Sequence, residues 1–191
     1  MSLNAQFSGD ILNQALLNDI DKLFESIRRV ESNIPSSKEN NSTRQTLDEV
    51  IFDARANVKV LFSEISMYFP TELKEKLFHQ IDLLHDTDDW EDGDNPVQIS
   101  SFKTFLRWFY LDQPSQLPNF GMSNGGLLIA TWLSNHNKDR LILEFRSDDH
   151  IKWFATKHYD DEQDMSSGIT SASRLIHHLA SYKASDWFIK P

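Results

Sequence analysis

The chain has no cysteine among its 191 residues. This absence excludes disulfide scaffolds, thiolate zinc sites, iron–sulfur clusters and cysteine nucleophiles. Glycine and proline number only 6 each, which excludes collagen-like and low-complexity classes. No stretch approaches the roughly 18 apolar residues of a membrane span, and the first residues do not resemble a secretory signal. We therefore expect a cytoplasmic protein with no membrane partner.

The sequence also lacks the motifs that mark nucleotide, hydrolase and zinc sites. It contains no G-x-x-x-x-G-K-[ST] loop, no G-x-G-x-x-G turn before a helix, no G-x-S-x-G elbow and no H-E-x-x-H pair. Aligning Gly93 with the glycine of a calcium-binding EF-hand puts Trp90 and Ile99 where oxygen ligands are needed. We therefore predict no catalytic residue, no metal site and no cofactor.

Basic residues are scarce, because 19 Lys and Arg stand against 29 Asp and Glu, for a formal net charge of −10. Residues 1–99 hold 9 basic and 19 acidic residues, whereas residues 100–191 hold 10 of each. The excess of acid therefore lies in the first half. Such a chain lacks the basic patch on which nucleic-acid binding depends, so direct DNA or RNA binding is disfavoured. An acidic face can attract a basic protein, and negative charge also favours solubility.

Aromatic residues are plentiful, with 13 Phe, 5 Trp and 4 Tyr, and they supply the bulk for a core. Wholesale disorder is therefore not expected. A chain of this length forms one ordinary domain or two small ones.

Three segments in the first half carry apolar residues at spacings of three and four, which is typical of amphipathic helices. They cover about residues 10–30, 46–69 and 71–84. The second begins with a capping-box pattern, Thr46 followed by Glu49, and Pro70 ends it. A short fourth helix is predicted to begin at Ser100 or Ser101 and to end near Asp112.

Beyond Pro114 the apolar period changes from about 3.6 to 2, which is typical of strands. Three strands of an antiparallel meander are predicted over residues 126–134, 140–146 and 151–158. Residues 118–123 are a candidate fourth strand. Residues 160–167 are interpreted as a polar loop, and a C-terminal helix is predicted to begin at Thr170 or Ser171.

Pairing Ser134 with Arg140 in the first hairpin predicts which side of the meander faces the core. The predicted core face holds Leu127, Ile129, Leu133, Leu141, Leu143 and Phe145. The second hairpin leaves open whether Trp153 or Phe154 joins this face, because the length of the turn at residues 148–149 is not fixed.

These elements predict an α+β fold. It consists of an N-terminal three-helix layer, a short helix, a three-stranded antiparallel meander with a candidate fourth strand, and a C-terminal helix. The predicted boundary divides a helical region, residues 1–95, from an α+β region, residues 96–191. One compact domain formed by both regions is the alternative.

The sharpest concentration of charge lies between Asp82 and Asp94, where seven acidic residues occur without any Lys or Arg. Gly93 and Pro96 indicate a loop. A tryptophan among acids either packs onto the helices or anchors a partner, since Trp is frequent in interface hot spots. The predicted partner-binding residues are Asp86, Asp88, Asp89, Trp90, Glu91 and Asp92.

The meander resembles a strand pattern found in small uncharacterised bacterial proteins. The pattern is G-x5-W, a turn, a strand, a second turn and a third strand. Here it comprises Gly126 to Trp132, Arg140 to Phe145 and Ile151 to Trp153. The resemblance covers only this part of the chain and implies no substrate and no catalytic residue.

The favoured interpretation is a non-catalytic acidic module that binds another protein. Its sharper form is an antitoxin-like or immunity-like protein that covers the basic surface of a nuclease. One alternative is an enzyme or small-ligand binder with a pocket between helices and sheet, where His158, His178 and the acids of residues 160–164 converge. Another is a structural homo-oligomer subunit that associates through a spare sheet face with Trp132 and Ile142.

Overall fold

The computed structural model describes most of the chain beyond residue 45. The described residues are 46–87, 90, 94–112, 116–134, 138–159 and 162–183, without the side chains of Tyr68, Leu111 and Asp112. They belong to one compact unit, Gln45–Pro191. They form four α-helices and a five-stranded antiparallel sheet, so the predicted α+β class is confirmed. The helix predicted over residues 10–30 lies outside the described residues.

The first two described helices form a helical hairpin, and the contact between them is apolar and aromatic. Helix α1 spans Leu47–Ile65 and helix α2 spans Thr71–Leu84, and both were predicted. The capping box is present, because the Thr46 N–H donates to Glu49 Oε2 at 2.9 Å and the Glu49 N–H donates to Thr46 Oγ1 at 3.3 Å. A 3₁₀ turn, Ser66–Tyr68, precedes Pro70. The Phe62 ring of α1 lies 4.9 Å from the Phe78 ring of α2.

Helix α3, Ile99–Asp112, supplies the centre of the core. Its inward residues are at most 1% exposed: Phe102, Phe105, Leu106, Trp108 and Phe109. The Phe105 ring lies 5.2 Å from the Phe109 ring and 5.3 Å from the Phe145 ring of the sheet. Ser101 Oγ donates to the Phe145 carbonyl at 2.5 Å and accepts from the Leu128 N–H at 2.8 Å. Helix α3 therefore packs on one face of the sheet, and its predicted position is confirmed.

The sheet has five strands in consecutive order rather than the three predicted. They are β1 Asn119–Met122, β2 Leu128–Ser134, β3 Asp139–Phe145, β4 His150–Tyr159 and β5 Glu162–Ser171. Strand β1 is the candidate fourth strand. Strand β5 occupies the region interpreted as a polar loop, residues 160–167. That interpretation was wrong because β5 is held by its ladder with β4 and lacks the apolar alternation by which strands are recognised.

The predicted register of the first hairpin was also wrong by one residue. Ser134 pairs with Asp139 rather than Arg140. Because side chains alternate along a strand, this shift buries the opposite set of β2 residues. The buried residues on β2 are Leu128, Ala130 and Trp132, whereas Leu127, Ile129 and Leu133 are half-buried. On β3 the predicted core residues Leu141, Leu143 and Phe145 are all fully buried.

The large indole of Trp132 explains why β2 takes this register. Its ring lies 5.6 Å from the ring of Trp108 in α3, and its Nε1–H donates to the Gln116 carbonyl at 2.9 Å. The core therefore accommodates the indole and satisfies its one polar atom. Trp132 is 1% exposed, so it cannot belong to a free sheet face.

The second hairpin places Trp153 toward the core and Phe154 away from it, which resolves the alternative left by the sequence. Trp153 pairs with Leu143 and is 6% exposed, whereas Phe154 is 36% exposed. Across the next ladder Trp153 faces Gly168, where an added Cβ would lie 3.0 Å from the Trp153 Nε1. Glycine at this position gives the indole the room it occupies.

A short helical segment follows β5 and packs against the core side of β4. It contains a 3₁₀ turn, Ala172–Arg174, the one-turn helix α4, Leu175–His178, and a second 3₁₀ turn, Ala180–Tyr182. Leu175 and Leu179 are fully buried. The predicted C-terminal helix is therefore present, but its predicted start at Thr170 or Ser171 was wrong, because these residues end β5 and the helix begins at Leu175. Among the described helices, none combines the length and apolar character needed to cross a membrane.

Candidate functional site

The predicted partner-binding segment follows the end of α2. Asp86 is exposed and Trp90 is half-buried. The Trp90 N–H donates to the Thr87 carbonyl at 3.2 Å, so the backbone turns within the segment. Four further predicted residues lie outside the described part of the chain, namely Asp88, Asp89, Glu91 and Asp92. Trp90 is therefore packed on one part of its surface and open to solvent on another.

A buried histidine fixes the start of this segment. His85 is 5% exposed, and its Nδ1 lies 2.7 Å from the Ile81 carbonyl oxygen. In the neutral ring, Nδ1 therefore carries the proton and donates it to that carbonyl. The His85 Nε2 is buried and has no hydrogen-bond partner among the described residues.

Burial lowers the pKa of His85 below its ordinary value of 6.5. The hydrogen bond to the Ile81 carbonyl and the charge of Asp82 act in the opposite direction, while Arg55 and Lys59 add to the lowering. His85 was not singled out from the sequence. The apolar stripe of α2 contained the signal, because position 85 is four residues beyond the buried Ile81 and lies on the same helix face.

One acid of the 82–94 segment is paired within the helical hairpin. Lys59 Nζ on α1 lies 2.5 Å from Asp82 Oδ1 on α2, with both side chains between a third and a half exposed. An ion pair this accessible contributes little to stability. Asp82 is therefore paired within the helical hairpin.

The acidic surface extends from Asp86 over the outer sides of α1 and α2. Five exposed acids occupy these helices: Asp48, Glu49, Asp53, Glu72 and Glu75. Three of them line a shallow depression together with Phe52, which is 61% exposed. Glu72 is neutralised locally by Lys76, whose Nζ lies 2.8 Å from its Oε1.

The convergence of histidines expected for the pocket alternative is not present. Lys157 and Trp153 share the core face of β4, where Lys157 Nζ donates to the Tyr182 carbonyl at 3.3 Å. His178 lies on that side, with its ring 6.4 Å from the Trp153 ring. His158 is the next residue after Lys157, so alternation directs it to the other face. The two histidines therefore do not converge, because adjacent strand residues point to opposite sides. Asp160 and Asp161, which belonged to the same expectation, lie outside the described residues.

His158 instead lies beside a buried carboxylate. The His158 backbone N–H donates to Asp139 Oδ1 at 2.9 Å, and the His158 Nδ1 lies 3.7 Å from the same oxygen. Asp139 is 3% exposed. This carboxylate joins the start of β3 to the far end of β4 and has a clear structural role there. Within the described ranges, no group of three His, Asp or Glu side chains is arranged to hold a metal ion.

The face of the sheet opposite α3 is uncovered by any described helix, and it is partly apolar. Ile142 is half-buried there, and Phe154, Met165 and Ile169 are 36%, 60% and 57% exposed. The homo-oligomer alternative assigned Trp132 to this face. That assignment was wrong because the register described above buries Trp132, while Ile142 does lie on it.

No family model, curated protein or solved structure matches this chain.

Proposed function

We propose that this chain is a non-catalytic protein-binding module whose acidic segment after α2, residues 86–92, contacts a basic surface of a partner protein, while the acids of α1 and α2 add to the long-range attraction. An antitoxin-like or immunity-like protein that masks the nucleic-acid-binding surface of a nuclease is the form we favour. Such a surface is basic because it neutralises phosphates, so an acidic protein can occupy it by charge complementarity.

The observation that carries this proposal is the position of the charge. Residues 46–99 hold 13 acidic and 4 basic residues, whereas residues 100–191 hold 10 of each. Nearly the whole net charge of −10 therefore belongs to the region formed by α1, α2 and the segment after them. Two of the 4 basic residues, Lys59 and Lys76, are already paired with acids of the same helices.

The electrostatic field of this acidic region acts on a partner protein before the two proteins touch. It raises the rate at which an oppositely charged partner associates, and it is screened by salt over roughly 8–10 Å at ordinary ionic strength. Trp90 is expected to contribute at the contact itself, because a half-buried indole is held in place while one side remains accessible. The acids thus set the rate of association, and Trp90 sets the rate of dissociation.

The experiment compares two variants with the same change in charge. In one, Asp88, Asp89 and Asp92 are replaced by Lys. In the control, Asp53, Glu64 and Glu75 of α1 and α2 are replaced by Lys. Each variant and the wild type serve as bait in a lysate of the source organism at low and high salt. Association rates with the captured protein are then measured against salt concentration.

We expect the segment variant to lose the partner, and we expect the control to bind with only a moderately reduced association rate. High salt should weaken binding of the wild type and flatten the difference between the three proteins. Unchanged association of the segment variant would overturn the proposal. Equal losses in both variants would overturn the assignment to residues 86–92.

A further inference from the structure

Strand β5 forms one edge of the sheet, and no strand lies beyond it in the described part of the chain. It is ten residues long, Glu162–Ser171, and all ten pair one-to-one with β4 without a bulge. It contains no Lys, Arg or Pro. Bulges, basic residues and prolines are features by which edge strands normally avoid pairing with another chain, and β5 has none of them. Among the described residues nothing pairs with its outer edge, which is therefore a regular template for a further strand.

The side chains of β5 also favour association. On the face opposite α3, Met165 is 60% exposed and Ile169 is 57% exposed, with the small Ser167 between them. Phe154 of β4 pairs with Ser167 and extends this apolar surface inward. A strand added beside β5 would cover part of these side chains as well as satisfy the backbone of the edge.

We infer that β5 pairs antiparallel with β5 of a second copy, in the register that puts Ser167 opposite Ser167 of that copy. This register places Met165 opposite Ile169 on both sides of the two-fold axis, so apolar side chains meet apolar side chains. In the neighbouring register, Ser166 would lie opposite Ser166 of the second copy. Met165 would then face Ser167, and Ile169 would face Gln163. The sequence of β5 is therefore self-complementary in one register.

The charge distribution of the chain is compatible with a second copy as the partner of β5. Two chains of net charge −10 repel each other, but residues 100–191, which include the sheet, have equal numbers of acidic and basic residues. The two acids of β5, Glu162 and Asp164, lie at one end of the strand. In the proposed register, the two copies of Asp164 are six residues apart along the strand direction. At about 3.4 Å per residue, this is about twice the screening length.

The first test uses the absence of cysteine from the chain. Ser167→Cys introduces the one thiol, and the register places it opposite its own copy, at a Cβ separation of about 4.5–5.5 Å. Gln163→Cys is the matched control on the same strand and face, because its two copies would lie about 27 Å apart, eight residues along the strand. Both variants are oxidised over a range of protein concentrations and compared by non-reducing electrophoresis.

We expect Ser167→Cys to give a covalent dimer and Gln163→Cys to migrate as a single chain in non-reducing electrophoresis, because its thiols are too far apart to join. Efficient crosslinking of both, or of neither, would overturn the proposed register. Sedimentation of the wild type should show a mass that rises from monomer to dimer with concentration, because a single pair of edge strands is a small interface. A monomeric wild type at all concentrations would overturn the proposal itself.

The second test is a charge swap at exposed positions, which leaves the core untouched. One variant carries Met165→Lys with Ile169→Lys, and the other carries Met165→Glu with Ile169→Glu. Each alone places like charges opposite each other and should sediment as a monomer, whereas a mixture should recover the dimer. Val60→Lys with Met67→Lys, at side chains 60% and 72% exposed on and after α1, is the control and should keep the wild-type mass. Failure of the mixture to recover would contradict the pairing.

Discussion

The helical hairpin and the sheet use their surfaces in opposite ways. On α1 and α2 the inward stripe is apolar, and the outward surface carries acids at Asp48, Asp53 and Glu75. Residues 100–191, which include the sheet, have equal numbers of acidic and basic residues, and the open face of the sheet exposes apolar side chains such as Met165 and Ile169. The hairpin is thus suited to long-range attraction of a basic partner, whereas the sheet is suited to short-range contact with a similar surface.

The same contrast applies to stability. Helix α3 joins the two regions through one aromatic cluster, in which Phe105 contacts Phe109 on its own helix and Phe145 on the sheet. The acids of the helical exterior take little part in this core. We therefore expect the fold to depend on the aromatic cluster and to tolerate changes of surface charge, and four predictions test this separation.

The largest effect is expected from Phe105→Ala. Phe105 is fully buried, so its removal leaves a cavity between α3 and the sheet. The free energy of unfolding measured by urea titration should fall by about 3–5 kcal/mol. Phe154→Ala on the open face is the matched control, and its loss should be roughly 1 kcal/mol because a third of that side chain is already in water. Equal losses in the two variants would contradict the assignment of core and open face.

A smaller loss is expected from Gly168→Ala on β5. The new Cβ would lie 3.0–3.1 Å from three atoms of the Trp153 indole, so the indole or the strand must move. We expect a loss of about 1–3 kcal/mol in the same titration. Gly121→Ala on β1 is the control, because no atom lies within 4 Å of its added Cβ. If the control loses as much stability as Gly168→Ala, close packing against Trp153 is not the reason.

The third prediction concerns pH and His85. Its folded-state pKa is lowered by burial, so the folded protein favours the neutral ring more than the unfolded chain does. The contribution of this group is fully present above pH 6.5 and is lost as pH falls below it, by at most about 1.4 kcal/mol per pH unit.

Urea titrations at pH 7.5 and 5.0 measure this loss. His85→Gln should show a smaller drop between the two pH values than the wild type. His79→Gln, at an exposed position on the same helix, should keep the wild-type drop. A His85→Gln variant with the full wild-type drop would show that another group causes it.

The smallest effect is expected from Asp82→Asn, which removes the ion pair with Lys59. Both side chains are partly accessible to water, so we expect a loss of at most about 1 kcal/mol. Thermal unfolding at low and at high salt measures it, with Asp53→Asn, at an exposed position of α1, as the control. A loss comparable to that of Phe105→Ala would show that charge, and not only the aromatic cluster, holds the hairpin.

Local patterns predicted the helical hairpin well. The capping box at Thr46 and the stop at Pro70 are properties of a few neighbouring residues, and they hold whatever the rest of the chain does. The apolar stripe that predicted the buried residues of α2 could also have predicted that His85 is buried. The concentration of acid after this helix was likewise visible in the sequence.

The sheet was less predictable because its decisive contacts are distant in sequence. Both faces of β2 are apolar, and only the packing of Trp132 on Trp108, 24 positions away, selects between them. Strand β5 lacks the alternation of apolar and polar residues by which strands are recognised. Gly168 leaves room for the Trp153 indole, and the strand is held by its backbone pairing with β4. The separation of His158 from His178 follows from the same strand geometry.

The central claim is that the acidic helical region and the β5 edge bind different partners. One measurement tests it directly: the mass and composition of complexes captured by three baits, namely the wild type, the variant with Lys at positions 88, 89 and 92, and the variant with Lys at 165 and 169. The account predicts that the first variant loses the basic partner and still self-associates, and that the second stays monomeric and keeps the partner. Loss of both associations in either variant would contradict it.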